Sequence, residues 1–464
     1  MERELLSVGI DIGTSTTQCV FSSMRLANAA PAFALPRVEL SDKRVLFRAP
    51  VRLTPLQGSD AIDAEGVAAL IAEDYRAAGI SPQSIDVGAV IITGETAHKL
   101  GARAVTEALS GFAGDFVVAT AGPDLEAVLA GKGSGAAAIS EERRSRVLNL
   151  DVGGGTSNIC LFDAGEPLAM GSMNIGGRLI RRDPHSGAVR GVSERLLPLV
   201  RELGLTVRVG ERLDDNDARR IAERMAQVLE EAVGLRPRTP LHDRMVTEHA
   251  MADDLRPDII TFSGGVADCV YNGCAPSAMF DDIGPLLGEA LAHSRFFSAA
   301  RVLRPRETLH ATAIGAGSYS MNVSGSTISY ERAAFPIVGL PVARVPLSER
   351  AHIEGLAQAT RQARRAVGDP CAIGFEGLAQ PGFDDIERTA DALAQALADA
   401  DCPVIVMARD MAKALGQALA RRRGGERPLV CLDGVSLSYG DAIDIGEPML
   451  DGRVLPVVVK TLVF

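Results

Sequence analysis

The sequence predicts an α/β protein of two matched lobes followed by a C-terminal αβ extension. Three observations carry that reading. A strand–aspartate–glycine turn–strand motif occurs twice. Apolar strand-like runs ending on small-residue turns stand between and after the two copies. The length, 464 residues, exceeds what one compact core usually holds.

The first copy of the motif is Val8-Gly9-Ile10-Asp11-Ile12-Gly13-Thr14-Ser15-Thr16-Thr17-Gln18-Cys19-Val20-Phe21. The second is Leu148-Asn149-Leu150-Asp151-Val152-Gly153-Gly154-Gly155-Thr156-Ser157-Asn158-Ile159-Cys160-Leu161. Aligned, Asp11 meets Asp151, Gly13 meets Gly153, Thr16 meets Thr156 and Gln18 meets Asn158. Leu6, Val8, Ile10 and Ile12 alternate with small or polar residues, the period of a strand, so each copy predicts a β-hairpin. Ligand-free hairpins are the plainer alternative, and the repeated aspartate at the strand end weighs against it.

The aspartates have a specific chemistry. Mg²⁺ dehydrates reluctantly and is usually held by one or two carboxylates together with phosphate oxygens and water. Asp11 and Asp151 are therefore the candidate metal ligands and catalytic acids. Turns rich in Gly, Ser and Thr offer backbone N–H groups and hydroxyls to an anion. Gly13, Thr14, Ser15 and Thr16 on one side, with Gly153, Gly154, Gly155 and Thr156 on the other, would grip a polyphosphate from both sides. Phosphoryl transfer needs mainly positioning and charge stabilisation, which two such turns supply. The chain has no Walker A sequence and no strand-linked G-x-G-x-x-G with a downstream acid, which disfavours those two phosphate-binding designs.

Between the hairpins, residues 87–92 form an apolar strand leading into Thr93-Gly94-Glu95-Thr96. Glu95 is the candidate acceptor that orients an attacking water; a carboxylate favoured by a helix dipole is its plainer reading. After the second hairpin, Asn174-Ile175-Gly176-Gly177 again joins a strand to paired glycines suited to close backbone approach. Residues 218–233 carry Ile221, Met225, Val228 and Leu229 at helical core spacing. The run Ile259 to Phe262 meets Ser263-Gly264-Gly265, a turn flat enough to lie against an adenine or ribose. Residues 311–318 predict a small-residue helix able to pack closely on another.

That order of motifs resembles the superfamily of actin, sugar kinases and heat-shock chaperones over roughly residues 5–325. The resemblance implies an actin-like ATPase fold, two ribonuclease-H-like lobes around a nucleotide cleft, with ATP and Mg²⁺ as cofactors. On that basis residues 1–145 are the first lobe, 146–330 the second, and 331–464 an αβ extension that either packs on the first lobe or docks a partner. In Asp151-Val152-Gly153 the letters match the sugar-kinase D-x-G base, but the G-G-G-T continuation is similar to the chaperone and activator branch. A small-molecule kinase and a filament-forming actin-like protein stay open as alternatives.

Within the superfamily the chain is most similar to the family of reactivating factors of ethanolamine ammonia-lyase, a coenzyme-B12 enzyme. The phrases that carry this are D-I-G-T-S-T-T-Q from Asp11, T-G-E-T from Thr93, N-L-D-V-G-G-G-T-S-N from Asn149, N-I-G-G-R-L from Asn174, F-S-G-G-V from Phe262, S-G-S-T-I from Ser324 and P-V-V-V-K-T-L-V-F from Pro456. The resemblance implies ATP-driven exchange of damaged cobalamin for intact adenosylcobalamin, with ethanolamine ammonia-lyase as the protein partner. Homo-oligomerisation and association with a bacterial microcompartment stay open.

Composition agrees with an ordinary globular chain, 47% hydrophobic and 23% charged. A formal net charge of −11 argues against a nucleic-acid surface. Seven scattered cysteines make poor material for a disulfide framework and fit a reducing cytoplasm; the nearest pair, Cys269 and Cys274, lacks zinc-site spacing and reads as two thiols. No apolar run approaches a membrane span, so no membrane partner is expected. Residues 457–464 alternate like a closing strand.

Overall fold

Val8, Ile10 and Ile12 alternate with smaller neighbours, and in the computed structural model all three are fully buried along strand β1 (Arg3–Ile12). The structure describes residues 3–13, 15–28, 38–57, 61–92, 105, 108–109, 116–120, 122–252, 255–273, 281–319, 322–323, 329–331, 335–424, 427–437, 441–446, 448 and 455–461. β1 turns back antiparallel into β2 (Thr16–Asn28), which pairs onward with β3 (Val38–Arg48). On its other side β1 lies parallel to β4 (Val87–Ile92), and β4 parallel to β5 (Phe116–Thr120). The order is β3-β2-β1-β4-β5.

The second sheet repeats this plan with β6 (Val147–Val152), β7 (Ser157–Asp163), β8 (Glu166–Met173), β9 (Ile259–Ser263) and β10 (Arg301–Val302) in the order β8-β7-β6-β9-β10. Its first three strands are antiparallel and its last three parallel, as in the first sheet. Asp151 sits opposite Asn158 across this hairpin just as Asp11 sits opposite Gln18 across the other. Two sheets of equal order and polarity, each grown from one copy of the duplicated hairpin, are the two ribonuclease-H-like halves of the actin-like ATPase fold. Every residue of β6 is buried, the polar Asn149 and Asp151 included.

Helix α1 (Ala64–Ala78) covers the first sheet with Val67, Ile71 and Tyr75, and Phe21 meets the Tyr75 ring edge-on at 4.8 Å. Its start is fixed by Asp63, whose side chain accepts from the Gly66 N–H at 3.1 Å, and its end by Gly79 in the left-handed region. Two further helices exchange sheets. α2 (Pro123–Ser134), which follows the first sheet in sequence, packs on β6, β7 and β8; the later helix α6 (Ala311–Tyr319) packs on β1, β2 and β4. The two cross in close contact. A Cβ on Gly133 would lie 1.8 Å from the Ala311 carbonyl oxygen, and one on Gly315 would lie 2.0 Å from that of Leu129. The small residues of α6 thus bring two helix backbones together and tie the halves to one another.

The core of the second half gathers β6 and β9 with α3 (Asp215–Ala232), α4 (Ala267–Asn272) and α5 (Gly284–Ala292). Phe262 anchors it, edge-on to Phe296 at 5.5 Å; burying such a side chain contributes about 1.5–3 kcal/mol.

The C-terminal part forms an eight-stranded sheet from β11 (Asn322–Val323), β12 (Ser329–Glu331), β13 (Ile337–Arg344), β14 (Ala372–Phe375), β15 (Val404–Met407), β16 (Leu429–Leu432), β17 (Asp441–Ile445) and β18 (Pro456–Thr461). Its order is β11-β18-β17-β13-β14-β15-β16-β12. β13 to β16 are parallel, joined by α7 (Leu356–Val367), α8 (Phe383–Ala396) and α9 (Ala412–Arg422). These helices pack side by side over one face of the sheet. The closing strand β18 lies against β5, the edge of the first sheet. Among the described residues no helix is long and apolar enough to cross a membrane.

Candidate functional site

The two hairpin turns close in the same way. Gly13 N–H donates to the Thr16 carbonyl at 2.9 Å, and Gly153 N–H donates to the Thr156 carbonyl at 3.0 Å. The first turn is held from outside by Thr54, whose hydroxyl donates to the Gly13 carbonyl at 2.7 Å and whose N–H donates to the Ser15 carbonyl at 3.1 Å. The second is held by the segment after β8, where Gly177 N–H donates to the Gly153 carbonyl at 3.0 Å and Arg178 N–H to that of Gly154 at 2.7 Å. The turns meet across one cleft: a Cβ on Gly154 would stand 3.1 Å from Ser15 Oγ.

Of the residues singled out from the sequence, Asp11, Gly13, Ser15, Thr16, Asp151, Gly153, Gly154, Gly155, Thr156, Gly177, Gly264 and Gly265 line this one cavity. Gly176 sits behind it instead, where a Cβ would strike the Gly154 carbonyl oxygen at 2.4 Å. Glu95 and Thr14 lie outside the described residues. Gly264 has φ of +88°, and a Cβ there would lie 2.5 Å from the Val152 carbonyl oxygen, so only glycine fits this turn. Cys269, which also lines the cavity, is disulfide-bonded rather than the thiol the sequence suggested. The cysteine spacing spoke against a framework of bridges, not against a single one.

Asp11 and Asp151 end their strands nearly buried, 8% and 7% exposed. Asp151 is oriented from behind by a buried relay. Thr261 donates to Asn149 Oδ1 at 2.9 Å, Asn149 Nδ2 donates to Ser263 Oγ at 2.9 Å, and Ser263 donates to Asp151 Oδ1 at 2.6 Å. Burial pushes the Asp151 carboxyl up to about 6, with the Ser263 hydrogen bond opposing.

The sequence reading missed a third acid, Glu126, which reaches the same cavity from the first turn of α2. Burial raises its pKa well above the usual range; the charges of Asp11 and Asp151 raise it further, and a hydrogen bond from Asn158 opposes. Ser172 donates to Asn158 Oδ1 at 2.7 Å, which leaves the Asn158 Nδ2 group to serve Glu126. The available signal was one carboxylate followed by the buried run Ala127-Val128-Leu129-Ala130.

These residues fit a divalent cation bound together with phosphate. Three carboxylates crowd one desolvated space, and the buried Gln18 Oε1 on its wall has no hydrogen-bond partner among the described residues. Among the described residues no three His, Cys, Asp or Glu side chains form a metal cage by themselves. Phosphate oxygens and water would complete the ligand set, the usual habit of Mg²⁺.

The sequence profile described as Ethanolamine utilisation protein EutA matches residues 3–464. The chain belongs to the EutA family. It is 40% identical over 473 residues to the ethanolamine ammonia-lyase reactivase EutA of Salmonella typhimurium, covering 100% of this chain and 99% of that protein. It is 39% identical over 470 residues to the protein of the same name from Escherichia coli, with the same coverage. Among solved structures it is similar to the ethanolamine utilization protein EutJ from Carboxydothermus hydrogenoformans, at 17% identity and a TM-score of 0.34, covering 67% of this chain and 89% of that one.

Proposed function

We propose that this EutA-family chain binds Mg-ATP between its two hairpin turns and uses ATP hydrolysis to reactivate adenosylcobalamin-dependent ethanolamine ammonia-lyase. Damaged or adenosyl-free cobalamin leaves the lyase, and intact adenosylcobalamin enters. The observation that supports this reading is identity of 40% to a reactivase along the whole chain, with both aspartate hairpins inside the aligned span.

Asp11 and Asp151 would hold Mg²⁺, which when bound neutralises phosphate charge and fixes its geometry. The N–H groups of the two turns cradle the phosphate oxygens, since converging backbone donors form anion-binding concavities. Glu126 is the proton acceptor for the attacking water: burial and the charges of Asp11 and Asp151 raise its carboxyl, so it takes a proton more readily than a solvated carboxylate would. The Asn158 amide holds that carboxyl in place. Gly264 and Gly265 give a flat wall for the nucleoside. Residues 1–145 and 146–330 carry the two lobes of this machine, with α2 and α6 exchanged between them and β11 and β12 joined to the C-terminal sheet, and residues 331–464 are its docking unit for the lyase.

The test is a rescue assay. Ethanolamine ammonia-lyase is inactivated with a non-functional cobalamin, then given this protein, Mg-ATP and free adenosylcobalamin, and acetaldehyde formation is followed. Recovery that requires ATP and fails with Asp151→Ala supports the proposal. Absence of recovery from a chain that binds ATP would overturn the reactivase role and direct attention to a phosphate acceptor.

A further inference from the structure

We infer that Arg178 is the side chain that grips the terminal phosphates of the bound nucleotide, and that Asp282 holds it in waiting when no phosphate is present. This rests on the nucleotide reading of the cleft and adds to it a residue that distinguishes triphosphate from shorter ligands.

The argument begins with unfilled donors. A guanidinium carries five N–H donors in a rigid fork. The Arg178 side chain is only 18% exposed, yet its recorded side-chain partner among the described residues is Asp282 alone, Nη1 to Oδ2 at 3.7 Å. That distance is an ion pair without a hydrogen bond. Asp282 is otherwise engaged, because its Oδ1 accepts from the Gly284 N–H at 2.8 Å at the start of α5. Its remaining donors are open to the cleft, where an anion would exchange their water for charge-assisted hydrogen bonds.

Position says which anion. The Arg178 N–H is bonded to the Gly154 carbonyl, and its Cβ lies 3.2 Å from the point where a Cβ on Gly154 would stand. Ser15 Oγ lies 3.1 Å from that same point. The side chain therefore springs from the seam between the two anion-cradling turns. Among the described residues lining the cavity, Arg178 is the one cation, against carboxylates of Asp11, Glu126, Asp151, Asp268 and Asp282.

The exchange of partners leaves a trace in protons. Burial pushes the Asp282 carboxyl up to about 6; the Gly284 N–H and Arg178 draw it down, while Asp281 raises it. Asp281 is itself paired with Arg190. When Arg178 turns from Asp282 to phosphate, the carboxyl loses a charge that lowered its pKa and takes up a proton near neutral pH.

The experiment titrates the full chain with Mg-ATP and with AMP by calorimetry at pH 7, in two buffers of different ionisation enthalpy. For Arg178→Gln the expected result is an ATP affinity about ten- to a hundredfold weaker with AMP affinity unchanged, the scale of lost charge-assisted hydrogen bonds. For Asp282→Asn, which keeps the acceptor for Gly284, ATP binds up to about fivefold more tightly and with less proton uptake than in the wild type. A clamp that merely fastened residues 176–179 to α5 would weaken ATP binding in both variants, and that outcome overturns the inference. Unchanged ATP affinity in folded Arg178→Gln also overturns it. Should that variant fail to fold, loss of ATP affinity in Asp282→Asn decides against the inference alone. A wild-type chain that binds no nucleotide would instead overturn the nucleotide reading, and this inference with it.

Discussion

Ser263 donates from its hydroxyl to Asp151 Oδ1 at 2.6 Å, across the parallel pair in which the two residues are register partners. The same hydroxyl accepts from Asn149 Nδ2, so one oxygen links Asp151 to the interior of the second sheet. Ser263→Ala removes both bonds at once. It leaves a buried Asn149 donor unsatisfied, which costs about 1–3 kcal/mol. The expected outcome is a lower denaturant midpoint of that size and a lower rate of ATP turnover, with the m-value unchanged. Wild-type stability and turnover in Ser263→Ala would show that the relay does not orient Asp151.

Asp151 opposes function to stability. Its carboxyl is raised from 3.8 to about 6 by burial, so the folded chain prefers it protonated. A raised acid contributes stability that is fully present below about pH 4 and lost as pH rises through 6. Two pH units correspond to about 3 kcal/mol of disfavoured charge at neutral pH. Asp151→Asn, measured with a chelator and without nucleotide, is therefore expected to unfold at higher denaturant than wild type at pH 7.5. The advantage should shrink to nothing near pH 4, while turnover is lost throughout. An equal or lower midpoint for Asp151→Asn at pH 7.5 would refute the desolvation argument.

What the sequence made legible was local. The two hairpins could be read because alternation, a strand-end aspartate and glycine turns all lie within about a dozen residues. Strands Val404–Met407 and Leu429–Leu432 were visible for the same reason, as short apolar runs bounded by turn residues. Glu126 was not, because its importance arises from α2 crossing to the second sheet, a tertiary event with no local period. Arg178 stood inside a quoted phrase, N-I-G-G-R-L, but the glycines explained that phrase without it. The order of the C-terminal sheet, with β12 at the far edge beside β16, was likewise beyond reach of periodicity.

Gly264 tests the close backbone approach on which the proposed nucleoside wall depends. Gly264→Ala places a Cβ 2.5 Å from the Val152 carbonyl oxygen at a φ of +88°. Left-handed strain and overpacking each cost about 1–3 kcal/mol, so a loss of several kcal/mol is expected. The turn's hydrogen bond from Gly264 N–H to the Thr308 carbonyl, 2.9 Å, is displaced with it. Thermal unfolding of the variant checks the expectation, and a melting temperature equal to wild type would mean that the turn has room the structure does not show.

Glu126 separates binding from chemistry. In the proposed reading Asp11 and Asp151 face phosphate and metal, whereas Glu126 enters from α2, its carboxyl raised by burial and by those two charges. Glu126→Gln keeps the volume and the hydrogen-bonding capacity toward Asn158 but cannot accept a proton. The expected outcome is Mg-ATP affinity within about threefold of wild type and single-turnover hydrolysis slower by about 10²–10⁴, the usual contribution of a general base. Removing a carboxyl from a cavity proposed to bind a polyanion does not oppose binding, so weaker binding cannot account for a fall in rate. If instead hydrolysis persists at the wild-type rate, the proton acceptor is another group, and Glu95 becomes the residue to replace next.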